Sequence, residues 1–151
     1  MITVQIENFE SSLSEFAPIF PIHYEELALN KDKVPLDPQY NIYIDRENSG
    51  ELLFVTIRED GSAVGYFIGF ISPALHYKTC LTCIMDIFYV HPEHRGSGGG
   101  AMLFKFVEKE LRRRKVDRFF VGSKLHKDSS WLFEKLGFQQ VEVYYSKWLG
   151  D

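Results

Sequence analysis

Apolar and polar positions change period several times along the chain, and each change predicts an element. Ile2, Val4 and Ile6 alternate with polar residues, so Met1 to Ile6 reads as a short first strand. Between Glu10 and Leu29 the period lengthens: Leu13, Phe16, Phe20, Tyr24 and Leu27 recur every three or four residues. That is helical spacing, which Pro18 and Pro21 must divide into two short pieces. Asp37-Pro38 predicts a further helix, a capping Asp with Pro at the first helical position, and Asn48-Ser49-Gly50 ends it. Two β-rich runs, Glu51 to Arg58 and Ala63 to Ile71, flank Glu59-Asp60-Gly61-Ser62, a hairpin signal. Thr79 to Val90 is a third strand after a turn at Ser72-Pro73, and the three make an antiparallel meander. Gly99 to Lys115 is a helix with Leu103, Phe104, Val107 and Leu111 on one stripe, and Val116 to Gly122 is a strand. Asp128 to Leu136 is a helix ended by Gly137, and Phe138 to Ser146 is a last strand. The fold class expected is α/β, an α+β mixed sheet, mostly antiparallel, with helices on both faces.

Composition narrows this to one domain over residues 1–151. The chain is 45% apolar and 15% aromatic, too rich in core-forming residues for a disordered chain and long enough to bury one core. The longest apolar stretches, near Tyr66 to Leu75 and Cys80 to Val90, are about half of what a membrane span needs. No Lys or Arg precedes Lys31, so the basic start of a secretory leader is missing and a cytoplasmic location is expected. Cys80 and Cys83 fall on opposite faces of a predicted strand, and two cysteines supply neither a disulfide framework nor a zinc site; no metal is expected.

Charge is split along the chain. Residues 1–60 carry 12 acidic and 4 basic side chains, and residues 61–151 carry 9 acidic and 13 basic, which together give the net charge of −4. Halves so different suit two ligands of opposite sign. The net value disfavours nucleic acid as a partner.

Four of the 11 glycines lie between Gly96 and Gly100, in the run Val90-His91-Pro92-Glu93-His94-Arg95-Gly96-Ser97-Gly98-Gly99-Gly100-Ala101. A strand precedes the run and an amphipathic helix follows it. Glycines let backbone approach a ligand closely, and N–H groups at a helix start are unpaired, a combination that binds phosphate. Arg95 adds a cation able to reach the same anion. The nucleotide P-loop pattern fails, because no Lys-Ser or Lys-Thr follows the glycines. A loose dinucleotide pattern fits Gly96 to Ala101, with Asp117 downstream, but five residues separate the strand from the first glycine and the preceding strands are hairpins.

With these residues the chain resembles the GNAT family of acyl-CoA-dependent N-acetyltransferases, in particular its stand-alone bacterial or phage members. The family signature is Arg or Gln, two residues, Gly, one residue, then Gly or Ala, and Arg95-Gly96-Ser97-Gly98-Gly99-Gly100 fits it. Val90-His91-Pro92 matches the Val-x-Pro that usually precedes it, and Leu132-Phe133-Glu134-Lys135-Leu136-Gly137-Phe138 resembles a second signature that closes the last helix. The resemblance implies transfer of an acetyl group from acetyl-CoA to a primary amine, by direct attack of the deprotonated amine on the thioester. It implies that backbone at Phe88, Tyr89 and Val90 holds the pantetheine arm and that the N–H groups of Arg95, Gly96, Ser97, Gly98, Gly99 and Gly100 hold the pyrophosphate.

Asp86, a charge inside an apolar strand, is the candidate general base or amine anchor. Where the family often has a general-acid Tyr this chain has Phe133, and where it commonly has an Asn beside the pantetheine this chain has His126. Tyr144 and Tyr145 on the last predicted strand are the replacement acids, though adjacent strand residues face opposite ways. His23, Glu25 and Glu26 lie in the kinked helical region that borders the acceptor site in this family. The run Arg112-Arg113-Arg114-Lys115 suits a helix C-terminus. The acceptor expected is a cationic amine beside the acidic half, with a homodimer open as the assembly. A catalytically weak acyl-CoA-binding module, or an effector that binds a partner protein, is the alternative that the loss of Tyr at Phe133 raises.

Overall fold

The computed structural model describes all 151 residues, and its five strands form one sheet in sequence order. β1 (Ile2–Ile6), β2 (Leu52–Glu59), β3 (Ser62–Pro73) and β4 (Leu81–Val90) are antiparallel neighbours, and β5 (Arg118–Phe120) runs parallel to β4. Asp60 and Gly61, at φ 49° and 87°, make the β2–β3 turn in the left-handed region, the backbone twist that matches paired strands. α1 (Phe9–Phe16), α2 (Phe20–Leu27) and α3 (Tyr40–Asn48) separate β1 from β2. α4 (Gly99–Arg113) follows β4, and α5 (Ser130–Lys135) follows β5.

Asn8 starts α1 by accepting the Ser11 N–H at 2.8 Å, one of the donors a helix start leaves unpaired. Pro18 falls in a 3₁₀ turn, Ala17–Ile19, and Pro21 in the first turn of α2, where the missing N–H costs nothing. β3 divides its side chains by alternation. Tyr66 and Ile68 join Phe9, Phe16 and Phe20 in a core under α1 and α2, and Phe67 joins Leu103, Phe104, Val107 and Leu132 under α4 and α5.

Three sequence expectations are corrected. α3 starts at Tyr40, not at Asp37-Pro38, and Gln39 makes no side-chain cap. Packing sets this start: Tyr40 stacks on Phe20 at 6.2 Å and Tyr43 on Phe9 at 5.3 Å. Ser72 and Pro73 remain in the ladder opposite Thr82 and Leu81, and the chain turns over residues 74–80. A proline is tolerated at a strand end, where its missing donor leaves no gap in the ladder. The last strand over Phe138 to Ser146 does not form. Val141 and Val143 carry strand propensity, but propensity needs a neighbouring edge, and β5 offers three residues. The tail is fastened at its ends, Phe138 on Phe119 at 5.3 Å and Trp148 beneath Lys33 at 5.7 Å.

Arg58 ties β2 to the first helical layer. Its Nε and Nη2 donate to Glu7 at 2.7 and 2.8 Å, and Nη1 and Nη2 to Glu15 at 2.8 and 2.7 Å. The guanidinium holds the Glu7 carboxyl at about 2, below its ordinary 4.5, and Arg113 and then Arg114 hold Glu110 at about 2. A carboxyl whose folded pKa lies below its unfolded one contributes stability above the unfolded value and loses it as pH falls through the folded value. The gap in urea midpoint between wild type and Glu7→Gln should therefore be constant from pH 7 to about 5 and shrink between 4.5 and 2. A gap that is as wide at pH 2 as at pH 7 contradicts this.

Candidate active site

The sheet splays on one side. β5 pairs with β4 only at Thr82, Cys83 and Ile84, so from Met85 onward that edge of β4 has no strand beside it. On the other edge the β3–β4 register slips: Ile68 faces Ile87 and Gly69 faces Met85, leaving Asp86 as the extra residue of a β-bulge. The bulge breaks alternation. Met85 and Phe88 pack on the α4 core while Ile87 packs on the α1–α2 core, and the Asp86 side chain meets α3. Gly69 opposite the bulge has no room for a side chain, since a Cβ there would stand 2.9 Å from Cys83 Sγ and 2.8 Å from the Phe67 ring.

Tyr43 Oη donates to Asp86 Oδ2 at 2.6 Å. Asp86 is still reached by solvent, yet burial among its neighbours raises its carboxyl above the usual value, against the Tyr43 hydrogen bond and the Arg46 charge. Tyr43 also lines a groove of about 410 Å³ with Asp37, Ile42, Arg46 and Phe70, in the range of small-molecule sites. Arg46 lies over the Phe70 ring at 4.4 Å.

At the end of β4 the chain makes a 3₁₀ turn, Pro92–His94, and enters α4. Gly98 takes φ 85° as the residue before the helix, a conformation that favours glycine. At Gly99 a Cβ would meet the His94 carbonyl oxygen at 2.7 Å and Val90 Cγ1 at 3.2 Å. From Gly96 to Ala101 six consecutive backbone N–H groups have no acceptor in the protein; the next, Met102, donates to Gly98. Unpaired donors at the start of a 15-residue helix fit a phosphate group.

The other candidate residues take definite places. Phe88 packs on Phe104 at 4.9 Å and on Phe133 at 5.9 Å, and Tyr89 and Val90 are buried. Arg95 turns away from the helix start: its Nε donates to the Val90 carbonyl at 2.7 Å and its Nη groups pair with Glu26. His126 Nε2 is 3.0 Å from the Leu27 carbonyl. Tyr144 and Tyr145 stand 88% and 93% exposed on the tail, and the hydroxyl bonded to Asp86 is that of Tyr43. Burial pushes the Cys83 thiol up to about 12, and Cys83 is a packing residue. His23 is buried against Tyr66 Oη at 2.6 Å, and burial lowers it to about 4, so it is neutral at pH 7. Arg112, Arg113 and Arg114 pair with Glu108 and Glu110 of their own helix, about 20 Å along α4 from the glycines. Tyr43 was not legible in the sequence, because its helix carries no motif and its partner lies 43 residues away.

Comparison with known proteins gives the family and the fold. The profile of the Acetyltransferase (GNAT) family matches residues 13–138. Among solved structures, a ribosomal-protein-alanine N-acetyltransferase from Brucella melitensis biovar Abortus 2308 superposes with a TM-score of 0.77 at 19% identity, over 100% of this chain and 99% of that one. A glucosamine-6-phosphate N-acetyltransferase from Arabidopsis thaliana gives 0.74 at 11% identity, over 99% of each chain. A predicted acetyltransferase from Clostridium acetobutylicum, solved with acetyl-CoA, gives 0.70 at 18% identity, over 99% of this chain and 97% of that one. No curated protein matches. No helix is long and apolar enough to cross a membrane. With the family profile spanning β2 to β5, the glycine loop and α5, the chain belongs to the GNAT acetyltransferase family.

Proposed function

We propose that the protein acetylates a primary amine at the expense of acetyl-CoA, with Asp86 as the proton acceptor. The observation that carries this is the pairing of six unpaired N–H groups at Gly96 to Ala101 with a raised, solvent-reachable carboxyl on the same strand and loop unit. Bound acetyl-CoA supplies the thioester carbonyl that the amine attacks. The N–H groups of Gly96 to Ala101 hold its pyrophosphate, and the edge of β4 from Phe88 to Val90, which has no strand beside it and whose Val90 carbonyl accepts from Arg95, offers its remaining backbone groups to the pantetheine arm.

Asp86 Oδ1 takes a proton from the acceptor ammonium, directly or through one water, while Oδ2 stays hydrogen-bonded to Tyr43. Its raised pKa makes it a stronger base than an ordinary exposed carboxylate. Phe133 is packed against Phe88, Phe104 and Phe138 and has no proton to give. The thiol leaves with a pKa of about 8.5, so solvent completes that step.

The acceptor is a cationic amine that enters along the groove beside α3, which Asp37 lines and whose Tyr43 is bonded to Asp86. Because attraction between an ammonium and exposed carboxylates is screened by salt, acceptor KM should rise as ionic strength increases from about 0.02 to 0.5 M. Steady-state kinetics at saturating acetyl-CoA measures this, and an acceptor KM that is flat or falls with salt contradicts the cationic assignment.

A further inference from the structure

Glu26, near the end of α2, is the one ionised side chain that reaches both loops flanking the splayed edge of β4. Its Oε1 is 2.6 Å from Arg95 Nη1 and 3.1 Å from Lys127 Nζ, and its Oε2 accepts from Arg95 Nη2 at 2.8 Å. Arg95 in turn donates through Nε to the Val90 carbonyl at 2.7 Å, so one guanidinium joins α2, the end of β4 and the glycine loop. Lys127 belongs to the β5–α5 connection, which is held a second time where His126 Nε2 meets the Leu27 carbonyl at 3.0 Å. Arg95 is one-third exposed and Glu26 one-fifth, so the pair is shielded more than a surface ion pair, and its two parallel contacts fix the guanidinium plane.

We propose that Glu26 is a positioning residue for the cofactor: it clamps Arg95 and Lys127 across the cleft, so that the six N–H groups of Gly96 to Ala101 stand as one preformed set. In this arrangement Arg95 holds the loop and does not touch the phosphates. The inference rests on the acetyl-CoA reading and adds a residue to it. Charge alone argues the opposite sign: a carboxylate near an anion site weakens anion binding, and its removal would free Arg95 for the phosphates. Positioning makes the same removal harmful, because donors displaced by about 1 Å lose most of their value. The sign of the effect therefore separates the two.

The test uses the full chain with Glu26→Gln, which keeps the size and one acceptor oxygen but removes the charge and the second acceptor, and Lys127→Gln as a second variant. Calorimetric titration with CoA should show a Kd about tenfold higher for Glu26→Gln and a smaller rise for Lys127→Gln. The acetyl-CoA KM should rise by the same factor while the acceptor KM moves less than about twofold. In the unliganded protein, tryptic cleavage after Arg95 should be several-fold faster in Glu26→Gln, a readout that needs no cofactor. Unchanged or tighter CoA binding by Glu26→Gln overturns the positioning role while leaving acetyl transfer intact. A wild-type chain that binds no CoA overturns the acetyl-CoA reading instead, and the cleavage rates then decide whether Glu26 holds the loop.

Discussion

Asp86→Asn is expected to lower kcat about 100-fold at neutral pH, within the range that a positioned general base supplies. Asn keeps the size and can still accept the Tyr43 hydrogen bond, so the bulge and the α3 contact should survive. The pH profile gives a second signature. Asp86 works only when ionised, and burial raises its pKa, so activity should fall on the acid side at a pH above the ordinary carboxylate range; the variant should lose that limb. Stability should move the other way. A carboxyl whose folded pKa exceeds its unfolded one destabilises the fold whenever it is ionised, so at pH 7 the Asn variant should have the higher Tm. Lower turnover with higher Tm marks a functional carboxylate, whereas a structural one would give lower values of both. Unchanged kcat across pH would remove Asp86 from the chemistry.

Gly99→Ala should raise the acetyl-CoA KM about 100-fold, the scale of loss that a displacement of about 1 Å produces. The new Cβ would lie 2.7 Å from the His94 carbonyl oxygen, and that oxygen belongs to the backbone of the turn leading into the loop. It cannot rotate aside, so the loop must shift and carry the unpaired N–H groups with it. Gly100→Ala is the graded comparison, because its Cβ would meet only the end of the Leu132 side chain, at 3.1 Å, which can adjust. Titration of both variants with CoA, beside their circular dichroism, separates loss of the loop from loss of the fold. Equal affinity for Gly99→Ala and wild type would contradict the assigned loop geometry.

Much of this fold is written in local pattern. The Asp60-Gly61 turn, the proline-divided helices and the α4 stripe all follow from residues close to one another in sequence, and each stands in the structure near where the pattern places it. The glycine loop was legible for the same reason, since its chemistry lies within one short run of chain. What depends on distant partners was not. The start of α3 is set by rings packing on Phe9 and Phe20, and Tyr43 reaches Asp86 from 43 residues away. The bulge at Asp86 leaves no trace in the alternation of an apolar strand, although it decides which face the carboxylate meets. The tail shows the converse: Phe138 to Ser146 has the pattern of a strand, but β5 is too short to pair with it. Arg95 is a cation beside an anion site by sequence, and only the position of Glu26 shows where its charge is directed.

The most direct measurement is release of free thiol from acetyl-CoA by the purified protein with a panel of primary amines, amino acids, peptides and aminoglycosides. Release that requires both protein and amine, yields the N-acetylated acceptor in equal amount, and falls about 100-fold in Asp86→Asn is the result predicted. Absence of amine-dependent release, with no binding of CoA by the same preparation, would contradict acetyl transfer as the function of this chain.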